Sequence, residues 1–590
     1  AAPKDPADLY TRMAYVRENH WKLTHLLNYN QTFYKHDIGM LLGFEEERFV
    51  KRTTDTAKLG LIDSSVGDSS SATTPSSIGG TGEEFTSRSY FGRINYAFDS
   101  RYLFEVNMRY DGSSRFAPDN RWGLFPSFSA GWRISEERFM KGLPIDNLKL
   151  RASWGKLGNN AIGNYEWQAV YNSAKYAFGG SLNNGLAITS ISNNLLEWES
   201  TAITNIGIDF ATLRNRLTFE AEFYNKVTDG ILYRPDMYMS LGTASGPRQN
   251  IAEVTNRGIE MTLNWQDRIG KVEYRVSGNF AYNQNKVSKY KGELQRGWVT
   301  DENGNRVYQT NIGDVSTGGS TRVIEGKMIN EYYMLQPYKG SGNGFNADGT
   351  VNINGGPRDG MIRTVDDMKW LNAMVGAGYK FYPRQNVSKS GIWYGDYIYA
   401  DLNGDGVYGN DADNEFQGCS NVPKYNFGLQ ASANWKGFDF SMNWSGAAGF
   451  KIYYYRLALN SSATIKGYAI GEAIANDHYF FDPKNPNDPR TNLSSKNPRL
   501  TNNSGNDQSG MTQSSVHLQK GDYIKLKNLT IGYTLPAVLS KKVYAQNIRF
   551  FASGENLFTI TGYEGMDPEM RTAVGYSTMR QYAFGVNITF

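Results

Sequence analysis

The sequence predicts an all-β protein, a large antiparallel transmembrane β-barrel with long extracellular loops and short periplasmic turns. Three observations carry the prediction. Tyr582, Phe584, Val586, Ile588 and Phe590 are apolar at every second position, while Ala583, Gly585, Asn587 and Thr589 between them are small or polar. That stretch is a strand with one greasy and one wet face. The same alternation recurs along the chain. Finally, 62 Gly, 39 Tyr and 14% aromatic residues in 590 are the composition of strands, turns and loops rather than of helices.

Taken in order, the elements repeat one grammar. Strand-like segments begin at His25. Ser64–Gly82, rich in Ser, Gly and Thr, reads as a flexible loop tip. Leu217, Phe219, Ala221 and Phe223 alternate with Thr218, Glu220, Glu222 and Tyr224. Ile259, Met261, Leu263 and Trp265 follow, then Val272, Tyr274, Val276, Gly278, Phe280 and Tyr282. Their neighbours Glu260, Glu273, Arg275 and Asn279 suit a water-filled lumen and not a dry sandwich core. Phe427 to Trp435 and Phe438 to Trp444 form a further pair across Lys436-Gly437. Roughly fifteen such segments are expected, each near the ~9–11 residues that a tilted membrane strand needs. Trp265, Trp435, Trp444, Tyr224 and Tyr282 fall near strand ends, where aromatic girdles sit. The alternating residues Tyr582, Phe584, Val586, Ile588 and Phe590 also resemble the C-terminal signal by which outer-membrane barrels are recognised for insertion.

Connections are uneven. Phe98-Asp99-Ser100, Leu213-Arg214-Asn215, Asp267–Gly270 and Lys436-Gly437 are short, whereas about Asn159–Leu195, Gln284–Val422 and Lys451–Gly521 are long polar excursions. In membrane barrels short turns face the periplasm and long loops face outside. No domain boundary interrupts residues 1–590.

Several classes are excluded or disfavoured. A mean hydropathy of −0.54, with no apolar run long enough for a helical span, rules out helical membrane topology but not a barrel, whose lipid-facing residues average out against polar ones. A formal charge of +4 offers no nucleic-acid track. One cysteine, Cys419, allows no disulfide within the chain. The five histidines lack metal-ligand spacing. Glu45-Glu46-Glu47 and Asp366-Asp367 read as solvated carboxylates rather than a tuned acid–base pair. Gly340–Gly356 follows no strand-to-helix pattern and so reads as no phosphate cradle. No catalytic residues and no enzyme are expected.

Two loop features are candidate sites. Asp401, Asn403 and Asp405, with Gly406 and then Asp411 and Asp413, place hard oxygens at alternating positions as a structural Ca²⁺ loop requires. The twelfth position is Ala412 rather than Glu, and an Asp/Asn/Gly-rich turn satisfying its own backbone explains the same residues. Trp298, Trp370, Trp393 and Tyr394, with other loop aromatics, are candidates for stacking on sugar rings or packing against peptide side chains; loops packing on each other or on a partner need such residues too.

The stretch RYDGSSRFAPDNRWGLFPSFSAGWRISEERFM (Arg109–Met140) resembles the signature of SusC/RagA-like TonB-dependent outer-membrane transporters. LRASWGKLGN (Leu150–Asn159), LEWES (Leu196–Ser200), NRGIE (Asn256–Glu260), YADLNGDG (Tyr399–Gly406), YIKLKNLTIGYTLP (Tyr523–Pro536) and SGENLFTITGYEGMDPE (Ser553–Glu569) follow in the family's order. The resemblance covers residues 25–590. It implies active import of oligosaccharides or peptides across a bacterial outer membrane, a SusD-like surface lipoprotein as lid, TonB as the energy source, and often a dimer of importer–lid pairs. The N-terminal extension, plug domain and first strands of such transporters are not found upstream of His25, so the chain reads as the C-terminal part of a barrel of about 22 strands. A longer N-terminal part or a separate chain would supply the rest. A passive porin-type channel or a surface β-protein acting as an adhesin remain as alternatives.

Overall fold

The computed structural model describes residues 9–61, 65, 67–233, 248–290, 297–300, 306–309, 315–316, 321–323, 326–382, 386–454, 472–500, 514–571, 576 and 578–590. Its large antiparallel sheet counts fifteen strands, the number the alternation predicts. Among the described residues no helix is long and apolar enough to cross a membrane. The chain divides into two compact units, Ala1–Ile208 with Tyr224–Glu253 and Asp209–Phe223 with Val254–Phe590.

The first unit contains β1 (Tyr10–Phe33), β2 (His36–Leu61), β3 (Ala72–Phe98), β4 (Tyr102–Ser113), β5 (Trp122–Arg133) and β6 (Ile145–Asn159), each paired antiparallel with the next. Their register sorts the side chains. One row across the six strands reads Tyr29, Met40, Ile94, Val106, Phe128 and Trp154; the next, one residue along, reads Asn30, Gly39, Asn95, Glu105, Ser129 and Ser153. Side chains of the first row stand exposed on one face, Val106 alone being half-buried, as they must if lipid is the solvent there. The polar row faces the other way and lines a cavity of about 590 Å³ with Lys149 and Arg151.

Aromatics bound the apolar face at both ends. Near the short turns, Tyr102 and Trp132 both donate hydrogen bonds to Oε1 of Glu137, at 2.6 and 3.2 Å. At the opposite end Tyr110 and Trp122 stack 4.7 Å apart. Beyond that girdle the same face turns ionic, with Arg88–Glu46 at 3.0 Å and Arg48–Glu84 at 2.8 Å. Residues Glu45, Glu46 and Glu47 therefore do not act together: Glu45 and Glu47 lie on the polar face, bonded to Lys22 and His20, and Glu46 on the other.

Two expectations need correction. β1 starts at Tyr10, well before His25, and β3 starts at Ala72, so only the head of Ser64–Gly82 is a loop. β1, β2 and β3 run 24, 26 and 27 residues, much longer than the membrane requires. Their outer halves stand in water and are tied by ion pairs such as Lys51–Glu18 (2.9 Å) and Arg12–Asp55, so they lack the apolar period that marks a lipid-facing strand. The Asn159–Leu195 excursion likewise contains a hairpin, Val170–Phe178 with Ser181–Ser190.

After β7 (Glu199–Thr212), β8 (Leu217–Tyr233) and β9 (Gln249–Ile269), the second unit carries β10 (Val272–Tyr290), β11 (Tyr425–Trp435), β12 (Phe438–Ala448), β13 (Tyr523–Thr534), β14 (Asn547–Thr561) and β15 (Gln581–Thr589). Here too an apolar row, Val276, Ala431, Met442, Leu529, Gly554 and Tyr582, lies beside a polar one, Ser277, Gln430, Asn443, Asn528, Glu555 and Gln581. Phe584, Val586 and Ile588 continue the exposed apolar face, and Phe590 just past β15 is exposed as well.

On the polar face Asp439 of β12 reaches Arg549 of β14 across the intervening strand, with Oδ1–Nε at 2.8 Å and Oδ2–Nη2 at 2.5 Å. Gly532 makes this possible. A Cβ there would lie 2.5 Å from Asp439 Oδ1 and 2.6 Å from Arg549 Nη2. Gly532→Val should therefore split the pair and crowd the sheet, costing ~1–3 kcal/mol, visible as a lower urea midpoint with an unchanged m-value. An unchanged midpoint would show that the pair holds nothing.

Candidate functional site

The long excursions that follow β10 and β12 fold together. Their core contains Leu335, Tyr338, Met361, Ile362, Trp370, Leu371, Met374, Phe381, Tyr399, Tyr408 and Tyr479, all buried. One helix organises it: α1 (Val365–Gly376) presents Met368, Trp370, Leu371 and Met374 inward. Thr364 and Asp367 close a capping box, Asp367 N donating to Thr364 Oγ1 at 3.1 Å and Thr364 N to Asp367 Oδ2 at 2.8 Å. Asp367 thus has a backbone role, while Asp366 pairs with Lys369 at 3.0 Å. The T-V-D-D string ahead of the apolar run from Met368 is a helix-start signature that the reading of Asp366-Asp367 as a solvated pair passed over.

Buried polar contacts tie the second excursion to the first. Arg499 bonds Asp396 through Nε (2.8 Å) and Nη2 (2.9 Å), and Asp396 also accepts from Trp393 N at 2.8 Å. Burial raises the Asp396 carboxyl's pKa, against the pull of Arg499. Arg363 Nη1 donates to the carbonyl oxygens of Leu493 (2.6 Å) and Ser495 (2.7 Å). Tyr397 OH donates to Lys496 O at 2.7 Å, and Tyr479 OH to Arg363 O at 2.5 Å. The connection after β14 is tied to β13 by Lys525, only 1% exposed, which pairs with Asp567 (2.8 Å) and Glu569 (2.7 Å). Lys527 and Tyr523 also bond Glu569. Two of the sequence strings singled out above, around Tyr523–Pro536 and Ser553–Glu569, thereby meet in one ion network.

The candidate aromatics divide. Trp370 is 0% exposed; its ring stacks on Tyr338 at 5.2 Å, its Nε1 donates to Asn352 O at 2.8 Å, and Gly356 (φ 69°) lies so close that a Cβ would meet the ring at 2.5 Å. Tyr394 is buried too, edge-on to Phe481 at 5.1 Å. Both rings serve the core instead of offering a face to a ligand. Trp393 is partly buried at the edge of that core. Trp298 sits on a short strand, Gly297–Thr300, and its side chain is outside the described residues. Period-free aromatic clusters such as these do not reveal from sequence which rings point inward. Near α1 a cleft of about 760 Å³ is lined by Phe345, Arg358, Asp359, Arg363, Asp366 and Lys369.

In the acidic loop Asp401 accepts from Gly404 N (2.6 Å) and Gly406 N (2.9 Å), Asn403 from Asp405 N (3.0 Å) and Asp405 from Val407 N (2.8 Å). Asp413, fully buried, accepts from Leu402, Gly409 and Asn410 amides, and burial pushes its carboxyl up to about 6. These oxygens close Asx turns on their own backbone. Asp411 lies in the turn Asp411–Asp413 with its side chain outside the described residues. Among the described residues no group of three or more His, Cys, Asp or Glu converges as a metal site would.

A sequence model of the family described as TonB dependent receptor-like, beta-barrel matches residues 4–557. The chain is 30% identical over 601 residues to TonB-dependent receptor P39 of Formosa agariphila, covering 95% of this chain and 52% of the relative. It is 28% identical over 517 residues to TonB-dependent receptor SusC of Bacteroides thetaiotaomicron, covering 85% and 43%. The chain thus spans about half the length of these relatives. Its fold is similar to a solved structure described as the RagAB peptide transporter, with a TM-score of 0.73 and 21% identity over 98% of this chain and 56% of that one. The strand register, the girdles and these matches agree: the chain belongs to the TonB-dependent receptor β-barrel family, as a SusC/RagA-like barrel of the bacterial outer membrane.

Proposed function

We propose that this chain is the barrel part of an active importer that brings oligosaccharides or peptides across the outer membrane. The observation that carries the reading is the loop body. Two long excursions share one buried core and a doubly bonded Arg499–Asp396 pair, which is more structure than an open diffusion pore requires at its mouth. A passive porin needs water-filled loops that leave the lumen free; a built body is what a captured substrate and a covering partner would rest on. The relative named SusC and the likeness to a peptide transporter support the same reading.

In the proposed cycle a SusD-like lipoprotein covers the loop body, and substrate is held between them. Trp393 at the body's edge and the charged cleft of Arg358, Asp359 and Arg363 are the contacts proposed on this side. TonB-transmitted energy then moves a plug, assigned to the part of the relatives' length that this chain does not span, and substrate passes along the polar face. The pairing of two importer–lid units belongs to the same proposal.

Uptake of labelled oligosaccharides and of labelled peptides by cells carrying the full-length protein, with and without TonB, tests the reading. One of the two classes should enter in a TonB-dependent manner. Entry that persists undiminished without TonB would make the protein a passive channel, and no entry of either class would return it to a surface protein.

Arg499→Leu should abolish that uptake while the barrel stays heat-modifiable on gels, because an unpaired Asp396 would be left buried, at a cost of ~3–5 kcal/mol to the loop body. Normal uptake by this variant would separate the loop body from transport.

A further inference from the structure

We propose that the turn between β13 and β14, together with Lys436 of the neighbouring turn, is a binding surface for the headgroups of anionic phospholipid in the periplasmic leaflet. The turn is built inside out. Its short helix Ala537–Ser540 and following turn Lys541–Val543 bury the small residues Ser540 and Ala545, yet leave Val538 74%, Val543 58% and Tyr544 92% exposed, with Leu539 exposed beside them. Water gives no reason for that arrangement.

The turn does not owe its shape to looseness. The Ser540 hydroxyl sits against the carbonyl oxygens of Ala537 and Gln546 at 3.2 and 3.3 Å, and Ala545 N donates to Ser540 O at 3.1 Å. Leu535 N donates to Ile548 O at 2.9 Å, and Thr534 N to Gly437 O at 2.7 Å, which fixes the Lys436-Gly437 turn beside it. The apolar residues are thus held outward.

What they meet is set by continuity and charge. Trp435 and Phe438, 6.2 Å apart, and Phe438 and Tyr533, 4.5 Å apart, form the girdle that ends the lipid-facing side of β11, β12 and β13. Val538, Leu539, Val543 and Tyr544 continue that apolar edge past the girdle, into headgroup depth. Lys541 and Lys542 stand among them, and Lys436 holds its ammonium 5.4 Å from the Trp435 ring. From Thr534 to Asn547 the chain has no Asp or Glu. The two carboxylates nearest in register, Asp439 and Glu273, are turned to Arg549 and Arg268. Apolar side chains interleaved with cations lacking a carboxylate partner among the described residues fit the interface of an anionic leaflet.

The full-length protein in nanodiscs of equal phosphatidylglycerol and phosphatidylcholine tests this by native mass spectrometry of the lipid that stays bound. The wild type should retain phosphatidylglycerol in preference. The triple variant K436Q/K541Q/K542Q should lose the preference by roughly fivefold per lysine, whereas the triple Arg variant keeps it. Equal retention of both lipids by the wild type, or an undiminished preference in the Gln variant, would overturn the proposal. Tyr544→Trp supplies a measurement that keeps every charge: its fluorescence should be quenched by lipid carrying a spin label near the headgroup. Unquenched, water-like emission, or photo-cross-linking from position 544 to a periplasmic protein without lipid preference, would also overturn it.

Discussion

Hydrocarbon offers backbone groups no hydrogen-bond partner, and each one left unpaired there costs several kcal/mol. The rest of the structure follows from that constraint. Strands must pair along the membrane's whole depth, so the chain is a meander of antiparallel neighbours whose side chains alternate strictly between two solvents. The row Val276, Ala431, Met442, Leu529, Gly554 and Tyr582 and its polar neighbour Ser277, Gln430, Asn443, Asn528, Glu555 and Gln581 are one residue apart. A slip of one residue on any strand would put an amide or carboxylate into lipid. Glycines answer a secondary demand of the same sheet: Gly532 lets Asp439 and Arg549 meet across β13.

Outside the membrane the constraint lifts, and different physics decides. β1, β2 and β3 continue as a ribbon whose side chains form cross-strand ion pairs in place of an apolar alternation. These exposed pairs each contribute little; the backbone ladder does most of the holding. The loop body solves another problem: long excursions cannot hide their backbone in lipid or in a sheet, so they build a small core of their own around α1 and Trp370, with buried Asp396 paired as the cost of burial demands, as is Lys525 on β13.

What the sequence made legible divides along the same boundary. Period-two alternation exposes a strand only where the two faces meet different solvents, which is why Phe427 to Trp435 and Tyr582 to Phe590 stand out and Tyr10 to Thr24 does not. Thr and Ser between Ala72 and Gly82 look like loop chemistry, yet they extend β3 because a neighbouring strand supplies the hydrogen bonds. In the loops no period exists to say which aromatics turn inward, so Trp370 and Tyr394 could be named but not placed. The capping pattern at Thr364 was there to be read, and α1 with it. For the acidic loop, spacing shows oxygens at alternating positions but not that Asp401 and Asp405 accept from amides of their own turn.

The central claim is that alternate residues of these strands face lipid and water. Spin labels placed singly along β11, at Leu429, Gln430, Ala431, Ser432 and Ala433, with Cys419 replaced, would report it in the reconstituted full-length protein. Collision with oxygen should peak at 429, 431 and 433, and collision with a water-soluble nickel reagent at 430 and 432. Accessibility to the nickel reagent at all five positions, with no period of two, would contradict the account.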